Sequence, residues 1–78
     1  MRLYWQHPEK ARYYSVNLQQ DLFGGWGLTL NWGVVGSRRW QSRHLPVMDE
    51  RTGIREIGRI SAQRETQGFD LVDVDFIH

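Results

Sequence analysis

Two alternating runs joined by a glycine-rich connection constrain this chain more than any other feature. In "RYYSVNLQQ" (residues 12–20), Tyr14, Val16 and Leu18 fall on one side and Tyr13, Ser15, Asn17 and Gln19 on the other. In "WGLTLNWGVV" (residues 26–35), Trp26, Leu28, Leu30 and Trp32 are in phase. A period of two is the pattern of a half-buried strand and excludes a helix over either run. Between them "DLFGGWG" supplies Gly24-Gly25, a pair able to take positive φ, so the two strands are predicted to form a hairpin. Gly33, just after Trp32, marks a bulge or a close backbone approach.

The rest of the chain extends this hairpin. "RLYWQH" reads as a first strand, followed by a turn at Pro8, Glu9 and Lys10. Gly36-Ser37 makes another turn, and "RRWQSRHL" a further strand that Pro46 is expected to end. After Asp49 the period changes. Ile54, Ile57, Ile60 and Ser61 share one helical stripe, Asp49 is a good N-cap, and Gly68 is a natural residue just past a helix end. A helix is therefore predicted from about Glu50 to about Gln67, although Gly53 and Gly58 each weaken it by about 1 kcal/mol relative to alanine. Arg51, Arg55 and Arg59 form a ridge on it, read as solvated surface, while Arg64 is expected to lie over the sheet and pair with a carboxylate. The tail "FDLVDVDFI" alternates Val72, Val74 and Phe76 against Asp73 and Asp75; it either adds a final strand or covers an edge. The fold class predicted is α+β: a mostly antiparallel sheet of about four strands with one helix packed on it. It is one domain over residues 1–78, with a core at about 3–71 and an acidic tail at 70–78.

At 78 residues, with 13% aromatic residues, the core must be small and built on large rings. There is no cysteine, which removes disulfides and cysteine metal sites and fits a reducing, cytoplasmic location. The N-terminal "MRLYWQHPEK" lacks the apolar stretch of a signal peptide, and no apolar run reaches membrane-spanning length. Net charge is only +1, but it is unevenly distributed. Residues 1–64 hold all ten Lys/Arg against five Asp/Glu, and residues 65–78 hold four acids and no Lys/Arg. Nine of the ten cations are arginine, which suits bidentate contact with phosphate or carboxylate.

No catalytic constellation emerges. His7, His44 and His78 have no metal-ligand partner at helical or loop spacing. The glycines of "FGGWGL" and "WGVVG" do not follow a strand and open a helix, so they are not a phosphate-binding loop. Asp73 and Asp75 lack the spacing of a general acid and base on a helix. A binding module is expected, not an enzyme, with no cofactor and no metal.

"YYSVNLQQDLFGGWGLTLNWGVVGS", followed by a helix and "QGFD", resembles a WGR domain over about Leu3 to Leu71. The order and spacing carry the resemblance: Tyr13, Tyr14, Leu18 and Asp21, then Trp26, Leu28, Trp32, Gly33 and Gly36, then Gln41, then Gly68-Phe69. The resemblance implies nucleic-acid binding without catalysis. Such modules occur in DNA-dependent poly(ADP-ribose) polymerases, in small bacterial proteins and in regulators similar to the molybdate metabolism regulator. This sequence departs from the family's Trp-Gly-Arg at the third residue, which is Val34, and the family's Gly before Gln is Trp40.

The expected binding residues are Trp32, Gly33, Arg38, Arg39, Trp40 and Arg43. Strand phase places Trp32 in the core, whereas the resemblance has its ring meet a sugar or base at a rim, the reading adopted. Trp40 lies on a polar face as a rim contact or a cover for the acidic tail. Trp5 and Trp26 are read as packing in or over the core. Arg38, Arg39 and Arg43 either meet phosphates or pair with Asp73 or Asp75. The partner expected is nucleic acid, DNA rather than RNA. The alternative is a protein-interaction module that lost DNA binding with the motif arginine, and a third arrangement folds the acidic tail over the basic face. Oligomeric state is left open.

Overall fold

The computed structural model describes residues 1–76; the last two residues of the predicted tail, 77 and 78, lie outside them. Five strands and one helix follow in the order β1 (Arg2–Gln6), β2 (Arg12–Gln20), β3 (Trp26–Val34), β4 (Trp40–Val47), α1 (Glu50–Thr66) and β5 (Asp70–Asp75). The sheet order is β4-β3-β2-β1-β5, and every pair is antiparallel. The first four strands form a meander. The helix then carries the chain back from the β4 edge to β5 at the other edge.

The β2–β3 hairpin is the longest ladder, nine rungs from Arg12↔Val34 to Gln20↔Trp26. Its alternation sets the two faces. Leu3 and Trp5 of β1, Val16 and Leu18 of β2, and Leu28 and Leu30 of β3 face the helix and meet Ile57 and Ile60. Tyr4, Tyr13, Ser15, Asn17, Thr29 and Asn31 form the opposite face, which no helix covers; there Tyr4 and Tyr13 stack with ring centroids 5.9 Å apart.

The tail resolves as a strand, giving five strands where about four were predicted. Its simple alternation does not survive. A register shift between Tyr4 and Trp5 places Leu71 opposite Trp5 and Asp73 opposite Tyr4, leaving Val72 as the extra residue of a bulge. Pro46, expected to end its strand, lies inside β4 opposite Gly27. An edge strand tolerates proline because one side of its backbone makes no ladder bonds.

Both helix ends match the sequence signals. Asp49 accepts the Thr52 N–H at 2.8 Å. At the other end Gly68 takes φ +90°, its N–H reaches Glu65 O at 3.0 Å, and Phe69 N–H reaches Arg64 O at 3.0 Å, a Schellman cap. The buried stripe, however, runs through Gly53, Ile57 and Ile60, while Ile54 is exposed. A β-carbon at Gly53 would stand 2.4 Å from Leu18 Cδ1, so the missing side chain lets the helix close on β2. A β-carbon at Gly58 meets nothing within 4 Å. Gly58→Ala is therefore expected to raise stability by about 1 kcal/mol. Gly53→Ala is expected to lose that gain to overpacking of about 1–3 kcal/mol. Denaturant midpoints of the two variants check the contrast.

Candidate functional site

One end of the sheet holds an open groove of about 1460 Å³. Three segments build it: the β1–β2 turn with the start of β2, the end of β3 with the β3–β4 connection and the start of β4, and the C-terminal turn of α1 with the residues that follow it to Phe69. The turns explain why these segments stay in place. His7 Nδ1 accepts the N–H groups of Glu9 and Lys10, both at 3.2 Å. Ala11 adopts φ 50°, and its carbonyl accepts Val35 N–H, tying the two connections together. Gly36 at φ 85° turns the β3–β4 connection, and Ser37 Oγ accepts Arg39 N–H at 3.1 Å.

Aromatic rings line the groove on both sides of the sheet end. On the helix side Trp32 lies opposite Tyr14 and stacks on it, with centroids 5.9 Å apart and 15° between planes. Arg64 places its guanidinium carbon 4.2 Å from the Tyr14 centroid, a cation–π contact. Trp5 meets Tyr14 edge-on at 6.1 Å. Trp32 is thus half-buried: it packs on the core cluster and also lines the groove, so the two sequence readings each describe part of its position. On the other side Gly33 lies against Tyr13; a β-carbon there would stand 3.0 Å from the Tyr13 hydroxyl and 3.1 Å from Arg39 O. A side chain there would need Tyr13 or the Arg39 carbonyl to give way by a few tenths of an ångström. Trp40, paired with Gly33, is 60% exposed at the rim.

The groove's cations are Lys10, Arg12, Arg38, Arg39 and Arg64, and no Asp or Glu lines it. Of the residues expected from sequence, Trp32, Gly33, Arg38, Arg39 and Trp40 come together here. Arg43 does not. It pairs with Leu30 on the helix-facing side of β4, away from the groove lining. Lys10, Arg12 and Arg64 were not singled out as binding residues. Arg12 was legible only through register: it pairs with Val34 across the hairpin. Arg64 lies over the sheet as expected, but on the Tyr14 ring, and among the described residues it forms no ion pair with a carboxylate. Its Nε is buried without a hydrogen-bond partner among the described groups.

The described part of the acidic tail, residues 70–76, does not line this surface beyond the preceding Phe69. β5 pairs with β1 at the edge opposite β4, and Asp73 lies 3.9 Å from Arg2. Trp40, at the β4 edge, is therefore apart from the described residues of the tail. The Arg51, Arg55 and Arg59 ridge lies outside the groove, with Arg59 bonded to Glu56 at 2.8 Å. Among the described residues no group of His, Asp and Glu is placed to hold a metal ion, and no helix is long and apolar enough to cross a membrane.

A family model, that of the WGR domain, matches residues 3–74. No curated protein and no solved structure gives a significant match to this chain.

Proposed function

This chain belongs to the WGR domain family, and from that premise we propose that its groove receives the sugar-phosphate backbone of DNA. The family is generally a nucleic-acid-binding module and not a catalytic domain. One observation supports the reading most strongly: five cations and no acid surround a stacked Tyr14–Trp32 pair in a single concave surface. Phosphate oxygens are met by arginine forks, and a sugar or base is met by a ring face. In this reading Lys10, Arg12, Arg38 and Arg39 hold phosphates, Trp32 and Trp40 offer ring faces, and Gly33 keeps the backbone low enough for a close approach. Arg64 holds Tyr14 and Trp32 in position from below.

Val34 gives the reading its sharpest feature. It stands where the family motif has arginine, is 47% exposed and lines the groove. Arg12 lies directly across from it in register. Directly opposed residues have β-carbons about 4.5–5.5 Å apart on the same face. Arg12 therefore supplies, from β2, the charge that β3 lacks. Arg12→Val is expected to weaken DNA binding and to lower the slope of log K against log salt by about 1. Adding Val34→Arg to that variant is expected to restore both. Failure of the second change to rescue the first removes the exchange across the rung.

The test of the proposal is a titration of blunt duplex, nicked duplex and single strand at two salt concentrations. Binding to at least one of them, weakening steeply with salt, is expected. No binding to any of the three at low salt rejects the proposal and favours the protein-interaction reading that Val34 permits.

A further inference from the structure

At the end of the β2–β3 hairpin away from the groove, Leu22 and Phe23 are 99% and 97% exposed. This tip is a built structure. Asp21 Oδ1 accepts the N–H groups of Phe23 at 2.8 Å and Gly25 at 2.9 Å. Asp21 N–H reaches Gly25 O at 2.7 Å, and the Gln20 side-chain amide reaches Gly24 O at 3.0 Å. Gly24 takes φ 87°, and a β-carbon on Gly25 would stand 2.8 Å from the Asp21 carboxylate. Five residues are thus fixed so that two large apolar side chains project into water. Fixing a loop in advance lowers the ordering cost of an association that buries it.

The tip's surroundings indicate what it fits. Asp21 lies beside the two side chains, and the register Trp26↔Val47 brings the exposed Met48 and the acids Asp49 and Glu50 to the same end of the sheet, where these three acids outnumber the neighbouring Arg51. An apolar projection with acidic flanks needs an apolar, aromatic recess with a basic rim. The groove at the opposite end is such a recess: Tyr14, Trp32 and Phe69 lie within it, and Lys10, Arg12, Arg38 and Arg39 surround them. The hairpin separates tip from groove by eight residue steps, about 26 Å. A molecule cannot reach its own groove with its own tip.

We propose that the Leu22–Phe23 tip of one molecule enters the basic aromatic groove of a second copy, giving head-to-tail self-association. Such an interface joins two different patches. It leaves a free tip at one end and a free groove at the other, so it grows as an open chain unless the rotation closes a ring. The inference does not depend on nucleic-acid binding.

Sedimentation equilibrium of the whole chain over a wide concentration range tests it. The weight-average mass is expected to rise with concentration past the dimer. Leu22→Ser with Phe23→Ser, at positions nearly fully exposed, is expected to weaken association by roughly tenfold or more while circular dichroism stays unchanged. Arg38→Glu with Arg39→Glu is expected to do the same from the groove side. Mixing the two variants decides the geometry. One keeps an intact groove and the other an intact tip, so they are expected to form a 1:1 dimer that grows no further. A wild-type monomer throughout, a plateau at the dimer, association that survives loss of the tip, or no dimer in the mixture overturns the proposal.

Discussion

Arg38→Gln combined with Arg39→Gln is expected to weaken DNA binding by roughly one to two orders of magnitude near physiological salt, with the salt slope reduced by about 2. Both side chains are exposed, both line the groove, and no ion pair ties either among the described salt bridges. Their removal takes two cations from a set of five with no acid to compensate. The fold should not register the change, because exposed substitutions usually move stability within about 0.5 kcal/mol. Arg51→Gln with Arg55→Gln supplies the control. It removes the same charge from the helix ridge, outside the groove, so it should leave the slope nearly unchanged. Equal losses in both variants would point to the net charge of the domain and not to the groove. Fluorescence anisotropy at several salt concentrations makes the comparison.

Trp5→Ala is expected to cost about 3–5 kcal/mol of stability, the range for truncating a buried aromatic side chain. Trp5 is 0% exposed in the centre of the helix-facing sheet surface. A 78-residue domain has roughly 4–12 kcal/mol in total, so this one change removes a large share. It also takes away the edge-on support of Tyr14, on which Trp32 stacks. Trp40→Ala removes the same residue type from a 60% exposed rim and should leave the denaturant midpoint close to wild type. Chemical denaturation of the two variants separates a tryptophan that holds the fold from one that faces outward.

The hairpin was legible because its two runs alternate without interruption and both bury the same face. The helix ends were legible because Asp49 and Gly68 are local signals, each acting on backbone groups within a few residues. What the sequence hid was set by distant neighbours. Ile54 fits the apolar stripe, yet Gly53 takes the buried position because Leu18 of β2 fills the space beside it. The tail's alternation looked unbroken, and only pairing with β1 reveals the bulge at Val72. The binding surface divides in the same way. Trp32 through Trp40 are close in sequence and could be grouped directly. Lys10, Arg12 and Arg64 reach the groove from a turn, a neighbouring strand and the helix end, which antiparallel pairing and helix docking bring together. Arg43 falls outside the groove lining because it stands two residues further along β4 than Gln41, on the same face but away from the sheet end.

The most direct test of the groove is a map of amide chemical-shift changes as a short DNA duplex is added to isotope-labelled protein. The account predicts the largest changes in residues 10–14, 32–41 and 64–69, fading as salt is raised. Changes concentrated instead on β5 or on the uncovered sheet face around Asn17 and Thr29 would contradict it.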